Sequence, residues 1–370
     1  MRNPKRKASV LLSVLLSMIL TTACSGNAGK TGPNNDNATA QPKTAGGKLV
    51  VYGWSGDWDL WFQEWGARFK QETGIEVQYV SGGGLEMLSR VIAEKDSPRA
   101  DLLLSSGSYL YQLDNMGLLS PIPWNQVQNA ADVDDRFKTE SVGIFGYDVY
   151  HLAYNPNHVS DSEVPASWAD LAKPEWKGRI IQRDPGSDLT AWVWMALADQ
   201  YGEEKATETI VKMFENATSY ASSVGTVVQE LASGEVDVAP ASIGHIMLAV
   251  QQAGGNVRSG MPDRPILMYN GLGIIKNGPN QEAAVKFIDF FLGTYIQDFI
   301  MNKAGTSVAV NSKVKLTNTD LVDIGLGGIS LDEVLAMAYT PDFAYWSETV
   351  DGDQTRLSAL CAKLAEAIKQ

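Results

Sequence analysis

Residues 48–104 read KLVVYGWSGDWDLWFQEWGARFKQETGIEVQYVSGGGLEMLSRVIAEKDSPRADLLL, and this stretch decides the fold. Three short apolar runs in it are suited to buried strands: residues 48–52, 75–80 and 100–104. Helical patterns separate the runs, because apolar side chains recur there every three to four residues. Alternation of strand and helix predicts an α/β fold.

Each predicted strand ends in a turn that is rich in serine and glycine. In an open α/β sheet, ligands bind outside the carboxyl ends of the strands, and the free N–H groups at a helix start favour an anion. The same residue types are also ordinary helix caps and turn formers, and the sequence leaves that alternative open. From these turns we predict ligand contacts at Trp54, Ser55, Gly83, Gly84 and Ser106.

The first helical pattern carries aromatic side chains at helical spacing, which predicts a face that packs against the sheet. Its members are Trp58, Trp61, Phe62, Trp65 and Phe69.

A second lobe is predicted from the alternation of strands and helices in the middle of the chain. Two extended apolar runs, residues 149–154 and 266–275, are suited to strands that cross between lobes. Between them the sequence predicts strands, a polar loop at 184–188 and helices at 190–200 and 203–216. We predict that lobe 1 contains residues 48–146 and 271–312, and lobe 2 contains 147–270 and 313–370.

The first 24 residues have the organisation of an export signal. A basic start precedes a mostly apolar run at residues 8–20, which is shorter than the ~20 residues that a membrane-spanning helix needs. Residues 20–24, LTTAC, resemble a bacterial lipobox, although Thr21 stands where such boxes usually have leucine. We predict a lipoprotein signal peptide over residues 1–23 and lipidation of Cys24. Cleavage before an unmodified cysteine is the alternative.

Residues 24–47 contain mainly Asn, Gly, Thr, Ala and Pro, with almost no large apolar side chain. Such a segment cannot bury enough surface to fold, so we predict a disordered tether. The formal charge of the whole chain is −13. This acidity argues against nucleic acid as a partner, because phosphate binding needs clustered lysine and arginine.

Cysteine and histidine content argues against catalysis and against a metal site. If Cys24 is lipidated, Cys361 is the one remaining thiol, and its amphipathic helical surroundings predict a buried, inert side chain. His151, His158 and His245 show no metal-ligand spacing. The sequence has no nucleophile elbow, P-loop or zinc signature. We predict no enzyme activity, no metal and no cofactor.

Several segments, taken in order, resemble the bacterial substrate-binding proteins of ABC importers. The matching pieces are LVVY (49–52), FKQETGIEV (69–77), SGGG (81–84), PRAD (98–101), GLL (117–119), PASWADL (165–171), WKGR (176–179), SGEV (233–236) and EAAVKFIDF (282–290). The resemblance covers most of residues 48–300. It implies the type II periplasmic-binding-protein fold, with two α/β lobes on a hinge that close over a ligand.

The resemblance also implies ligand contacts from the second lobe. Relatives present a loop to the ligand where this chain has residues 185–190, which points to Ser187, Asp188 and Thr190. Ser242 lies in the segment that aligns with ligand residues of iron-binding members. Aromatic candidates for an ammonium group, chosen for their places near strand ends or crossings, are Trp54, Tyr109, Tyr147 and Tyr269. Trp192 and Trp194 are expected in the core.

The family group implied by the resemblance includes iron(III), thiamine, polyamine and 2-aminoethylphosphonate binders. Iron binders usually carry adjacent tyrosines where this chain has APASIGH at 239–245, which argues against iron. The sequences at residues 77–84 and 90–95 are most similar to those of the aminoethylphosphonate members. A phosphorylated or zwitterionic solute is the preferred ligand, with thiamine, polyamine and iron(III) as alternatives.

The resemblance implies that the partners are a small-molecule ligand and an importer permease. We expect a monomer, held at the extracytoplasmic face of the cell membrane by its lipid. A ligand-sensing lipoprotein is the alternative role, because a fold does not fix a function.

Overall fold

The computed structural model describes residues 47–221, 224–253, 256–352 and 354–369, which are organised around one mixed β-sheet. The predicted signal peptide, Cys24 and the tether before Gly47 lie outside the described residues.

Thirteen strands are described. They are β1 (Lys48–Trp54), β2 (Glu76–Gly82), β3 (Leu102–Ser106), β4 (Leu119–Ser120), β5 (Val142–Tyr154), β6 (Ile180–Arg183), β7 (Ala217–Ala221), β8 (Val238–Ser242), β9 (Arg258–Gly260), β10 (Ile266–Ile275), β11 (Val308–Ala309), β12 (Thr349–Asp351) and β13 (Gln354–Thr355).

Twelve α-helices accompany the strands in the described ranges. They are α1 (Asp57–Thr73), α2 (Gly84–Ala93), α3 (Gly107–Asn115), α4 (Asp188–Tyr201), α5 (Glu203–Asn216), α6 (Val224–Ser233), α7 (Ile243–Ala253), α8 (Gln281–Leu292), α9 (Thr294–Asp298), α10 (Leu331–Met337), α11 (Phe343–Trp346) and α12 (Arg356–Lys369). Short 3₁₀ turns span Trp124–Gln126, Gln128–Asp132, Asp135–Phe137, Trp168–Ala172 and Pro174–Trp176, and π-helical turns span Phe299–Lys303 and Leu321–Gly325.

The central path of the sheet runs β2-β1-β3-β10-β5-β8-β6-β7. β1 is parallel to β2 and β3, and β6 is parallel to β7 and β8. β10 and β5 separate these two parallel groups and pair antiparallel with each other. The α/β prediction is confirmed, with the antiparallel pair β5 and β10 at the predicted crossings.

The buried side chains form separate cores on the two sides of the crossing strands. β5 contributes Val149 to the core around β1 to β3 and its neighbour Tyr150 to the core around α4 and α5. β10 contributes to both cores in the same way. This arrangement gives two lobes that share two continuous strands, as the resemblance implied.

The exact lobe boundaries stay predictions. Leu321, Leu326 and Val334 bury their side chains in the core around β1 to β3, although they follow the predicted boundary at residue 313. Phe343, Leu360 and Leu364 join the core around α4 and α5.

Helix α1 illustrates how the sequence determines local structure. Asp59 accepts a hydrogen bond from the N–H of Gly56 at the helix start (2.9 Å), and Gly74 ends the helix in the left-handed conformation at φ 75°. On its inner face Phe62 stacks on Tyr79, with ring centroids 3.8 Å apart, and Trp65 is fully buried. Burial of each such aromatic side chain stabilises the folded state by about 2 to 3 kcal/mol.

None of the helices in the described part of the chain combines the length and the apolar character that a membrane span requires.

Candidate functional site

A cleft of about 820 Å³ opens at the carboxyl ends of β1, β3 and β8, and both lobes line it. Its lining residues are Trp54, Ser55, Gly56, Asp57, Trp58, Trp61, Ser106, Asp148, Tyr150, Asp188, Leu189, Trp192, Ser242, Gly244, His245, Met268, Asn270, Phe299, Lys303, Ala304 and Thr306. This volume is typical of small-molecule sites.

Four helices begin at the cleft, because each follows a strand or loop that ends there. Residues at or next to the starts of α1, α3, α4 and α7 all line it. The N-terminal end of a helix carries a partial positive charge from its unpaired N–H groups. The cleft therefore offers several positions that attract negative charge.

Carboxylates accompany three of these four helix starts. Asp57 and Asp188 are the first residues of α1 and α4, and Asp148 lies beside the N–H groups of Ile243 and Gly244 in α7. The first turn of α3 contains no acidic residue, and its N-cap Ser106 makes no side-chain cap bond to the helix. Among the four, α3 is the helix start without a carboxylate.

Aromatic rings form one wall of the cleft. Trp58 lies 4.9 Å from Trp54 and 5.3 Å from Trp61, and Trp61 contacts Phe299 at 5.5 Å, all between ring centroids. The packing-face prediction for α1 is confirmed for Phe62, Trp65 and Phe69, which are buried. Trp58 and Trp61, which were predicted only to pack against the sheet, also line the cleft.

Trp192 lines the cleft from the second lobe although its side chain is 3% exposed. Its ring meets Phe343 edge to face at 5.8 Å. Trp194 is buried, as predicted.

Two acids in the cleft, the buried Asp148 and the partly buried Asp188, have raised pKa values. Burial raises the pKa of Asp148 to about 7, against the opposing effect of hydrogen bonds from Ser242 and from backbone N–H groups. Burial also raises the pKa of Asp188, while the N–H of Leu189 and the charge of Arg183 act in the opposite direction.

His245 is neutral at physiological pH because burial, and secondarily the charge of Arg183, lower its pKa to about 4. Its Nδ1 lies 2.5 Å from Oγ of Ser242.

Five of the predicted site residues line the cleft. They are Trp54, Ser55, Ser106, Asp188 and Ser242.

Tyr147 and Tyr269, the two tyrosines that were predicted as ligand contacts on the crossing strands, lie on the face of the sheet opposite the cleft. Tyr147 is 5% exposed and stacks on Phe137 at 6.0 Å, and Tyr269 contacts Phe343 at 5.6 Å. Successive side chains of a strand point to opposite faces, so the cleft receives their even-numbered neighbours instead. Those neighbours are Asp148, Tyr150, Met268 and Asn270.

Ser187 and Thr190 are not among the cleft-lining residues, because their hydroxyls are used inside the turn that starts α4. Oγ of Ser187 accepts a hydrogen bond from the N–H of Thr190 (3.2 Å), and Oγ1 of Thr190 donates to the carbonyl of Asp184 (3.1 Å). These contacts agree with the alternative reading as helix-capping residues.

Gly83, Gly84 and Tyr109 are not among the cleft-lining residues. A Cβ at Gly84 would lie 3.1 Å from the Tyr109 ring and 3.8 Å from Nε1 of Trp54. Burial raises the pKa of the Tyr109 phenol, and the charge of Asp188 adds to the effect. The absence of a side chain at Gly84 therefore allows the Tyr109 ring to approach the start of α2 closely.

Sequence reasoning missed two polar groups near the cleft. Nε and Nη1 of Arg183 are buried without a hydrogen-bond partner among the described groups, and Arg183 acts electrostatically on Tyr150, Asp188 and His245. Oγ1 of Thr306, which lines the cleft, likewise has no described partner. The basic end of β6, Gln182-Arg183, was a signal that could have identified Arg183.

Cys361 is a free, partly buried thiol on α12, and burial raises its pKa to about 12, which agrees with the predicted lack of reactivity although the side chain is not fully buried. Within the described residues no group of three or more His, Cys, Asp and Glu side chains is arranged to hold a metal ion. Tyr150 is the one tyrosine among the cleft-lining residues.

Comparison with known proteins identifies the family. Residues 64–321 match the family described as bacterial extracellular solute-binding protein. This chain belongs to that family.

Relatives of this solute-binding protein differ in the solutes for which they are named. An Fe(3+)-binding periplasmic protein of Serratia marcescens is 27% identical over 288 residues, which cover 73% of this chain and 81% of that protein. A periplasmic protein of Salmonella typhimurium, provisionally named for 2-aminoethylphosphonate, is 26% identical over 267 residues, which cover 69% of this chain and 77% of that protein.

Solved structures agree with the fold of this solute-binding protein. The periplasmic binding protein AfuA of Actinobacillus pleuropneumoniae, solved with fructose-6-phosphate bound, superposes with a TM-score of 0.71. The two are 22% identical, and the match covers 87% of this chain and 99% of that one. At this identity the likeness supports the two-lobed fold alone.

Proposed function

We propose that this protein captures a small polar solute in the cleft and delivers it to the permease of an ABC importer. The observation that carries the proposal is that both lobes and the two crossing strands line one cleft. A ligand that touches both lobes favours the closed arrangement, because it gains contacts there that the open form lacks. An importer that recognises the closed form then receives loaded protein.

The preferred ligand carries both an amine and an anionic head, as 2-aminoethylphosphonate does. The start of α3 at Ser106 suits the anionic head, because its helix end lacks the carboxylate that the other three have. The proposal therefore directs the anionic head toward the start of α3.

The amine is directed toward the aromatic wall and the carboxylates. An ammonium group gains from the faces of aromatic rings, with tryptophan the most favourable, and from nearby carboxylates. Trp54, Trp58 and Trp61 lie on the same side of the cleft as Asp57. A zwitterion satisfies both ends of such a site.

A polyamine is the second candidate, and the charge of the cleft favours it. Asp57, Asp148 and Asp188 line the cleft, whereas Lys303 is the basic residue among the lining positions. A ligand with two or more ammonium groups would compensate this excess of carboxylates. The iron(III) alternative is disfavoured by the neutral sequence at residues 239–242 and by the single tyrosine at the cleft.

The test is a thermal-shift screen of residues 48–370 with 2-aminoethylphosphonate, other phosphonates, phosphate esters, thiamine, putrescine, spermidine and ferric citrate. A ligand that binds only the folded state stabilises it by ~2.7 kcal/mol at a hundredfold excess over its dissociation constant. A shift with amine-bearing phosphonates supports the zwitterion, and a shift with polyamines alone supports the second candidate. Stabilisation by ferric citrate alone contradicts both.

Cell-surface attachment through Cys24 belongs to the same proposal, with the protein acting as a monomer at the extracytoplasmic face of the membrane. Family membership supports a location outside the cytoplasm. A lipid anchor would keep the captured solute near the permease, because it confines the protein to the membrane surface.

A further inference from the structure

Asp148 is a buried carboxylate at the point where the lobes join. It lies on the crossing strand β5, lines the cleft and is 6% exposed. Its Oδ1 accepts a hydrogen bond from the N–H of Val149 at 2.8 Å. The hydroxyl of Ser242 and the N–H groups of Ile243 and Gly244 lie beside it and act to lower its pKa. The carboxylate therefore occupies the N-terminus of α7.

Dipoles stabilise this carboxylate, and no cation pairs with it among the described ion pairs. His245, on the same turn, is neutral because burial lowers its pKa to about 4. The charge of Arg183 affects Tyr150, Asp188 and His245, and Lys303 lies exposed at the cleft. A buried carboxyl group without a paired cation favours a positive group at this end of the cleft, because a nearby cation would stabilise its ionised form.

Asp148 and the backbone of Thr306 crowd the start of α7 at Gly244. A Cβ at Gly244 would lie 3.1 Å from the carbonyl oxygen of Thr306 and 3.5 Å from Oδ2 of Asp148. A phosphonate oxygen would therefore have to displace Asp148 to reach the N–H groups of α7, and would meet a like charge as it approached.

We propose that Asp148 sets the charge preference of the cleft, excluding the anionic head of a solute from the α7 end and favouring a cationic group there. This inference rests on the proposed solute-binding function and specifies the orientation of the solute. An amine would point toward β5 and α7, and a phosphonate would point away from them.

The test compares 2-aminoethylphosphonate with ethylphosphonate, which lacks the amine, by calorimetry on wild-type protein and on Asp148→Asn. Wild type is expected to prefer the amine-bearing probe by at least about tenfold, and Asp148→Asn to reduce that preference by about tenfold. Equal affinity of wild type for both probes overturns the proposal, as does an unchanged preference in the variant.

Asp101→Asn is the matched control. Asp101 is also a buried carboxylate that accepts backbone hydrogen bonds, from Val50 at 2.8 Å and from Asn280, and burial raises its pKa. It is not among the cleft-lining residues. This variant is expected to retain the wild-type preference between the two phosphonates, and a reduced preference would overturn the assignment to Asp148.

A measurement without ligand separates this inference from the proposed function. Burial raises the pKa of Asp148 to about 7, so ionisation destabilises the wild type as pH rises toward 8, whereas asparagine has no such dependence. The unfolding midpoint of Asp148→Asn in urea should therefore rise relative to wild type between pH 5 and pH 8. A relative fall would mean that a cation pairs with Asp148, and would overturn the proposal even if both phosphonates bind.

Ser242→Ala keeps the test decisive if Asp148→Asn does not fold. The ionised carboxylate gains more than the protonated form from the hydroxyl of Ser242. Loss of the hydroxyl should therefore lower the unfolding midpoint more at pH 8 than at pH 5. An equal loss at both pH values would contradict an unpaired ionised Asp148. If neither phosphonate binds wild type, the solute proposal fails and these pH measurements alone decide the state of Asp148.

Discussion

Met268 of β10 lies directly opposite Asp148 of β5 in the antiparallel pairing, and both side chains line the cleft. One residue along each strand, Tyr269 lies opposite Tyr147, and both tyrosines face away from the cleft. A shift of one residue in a strand exchanges the two faces of the sheet. The register of these two strands therefore decides which side chains can meet a solute.

The register leads to a first prediction about the crossing strands. Tyr147→Phe and Tyr269→Phe should change the affinity for 2-aminoethylphosphonate by less than about twofold, because these phenols face the other side of the sheet. Asn270→Ala should weaken binding by about tenfold, through loss of a polar side chain in the cleft. Calorimetry on the three variants checks this, and a large loss in either phenylalanine variant would contradict the observed register.

A second prediction concerns the cap of α4. Ser187→Ala should lower the free energy of unfolding by about 1 kcal/mol, because it removes the acceptor for the N–H of Thr190. Ser187→Asn retains a capping side chain and serves as the control. Urea denaturation measures the difference. If Ser187→Ala instead abolished solute binding with unchanged stability, the serine would be a ligand contact, as the resemblance to relatives implied.

The strands and helices of this fold were largely predictable from the sequence, because the spacing of apolar residues differs between strands and helices. The predicted helix at 203–216 and the predicted strand at 266–275 match α5 and β10. Turns that open helices also identified five cleft residues, since the carboxyl ends of parallel strands share one edge.

The cleft-facing residues of the crossing strands were harder to predict, because β5 is buried on both faces and β10 is largely so. Every residue of β5 is buried, so alternation of polar and apolar side chains could not show which face meets the cleft. Arg183 was missed for a related reason: its neighbours Tyr150, Asp188 and His245 come from three separate parts of the chain. Tertiary pairing, rather than local pattern, brings them together.

Acid should destabilise the protein through His151. Both ring nitrogens contact carbonyl oxygens, of Leu152 at 2.8 Å and Gly325 at 3.0 Å, and burial lowers the pKa to about 4. Because the unfolded pKa is near 6.5, the unfolded state binds more protons between pH 6.5 and 4, so stability falls as pH falls through that window.

The expected loss from this one histidine is up to about 3 kcal/mol. His151→Gln, whose amide keeps a donor near Gly325, should lose less stability than wild type between pH 7 and pH 4.5. Urea unfolding at the two pH values measures the difference. Equal losses in both proteins would show that His151 does not titrate in this range.

Lipid attachment predicts where the full-length protein is found in cells. Cys24→Ser removes the thiol that would carry the lipid, and should move the protein from the membrane fraction to the soluble extracytoplasmic fraction. Cys361→Ser is the control, because that thiol lies in the folded body on α12. Retention of the Cys24→Ser protein on membranes would contradict the anchor.

Calorimetry of residues 48–370 with 2-aminoethylphosphonate is the most direct test of solute capture at the aromatic wall of the cleft. Trp58 contacts Trp54 and Trp61 within the cleft, whereas Trp176 is a buried tryptophan that does not line it. We expect binding with one solute per chain, weakened at least about tenfold by Trp58→Ala and unchanged by Trp176→Phe. Binding that Trp58→Ala leaves intact, or no binding by the wild-type protein, would contradict capture of this solute at the aromatic wall.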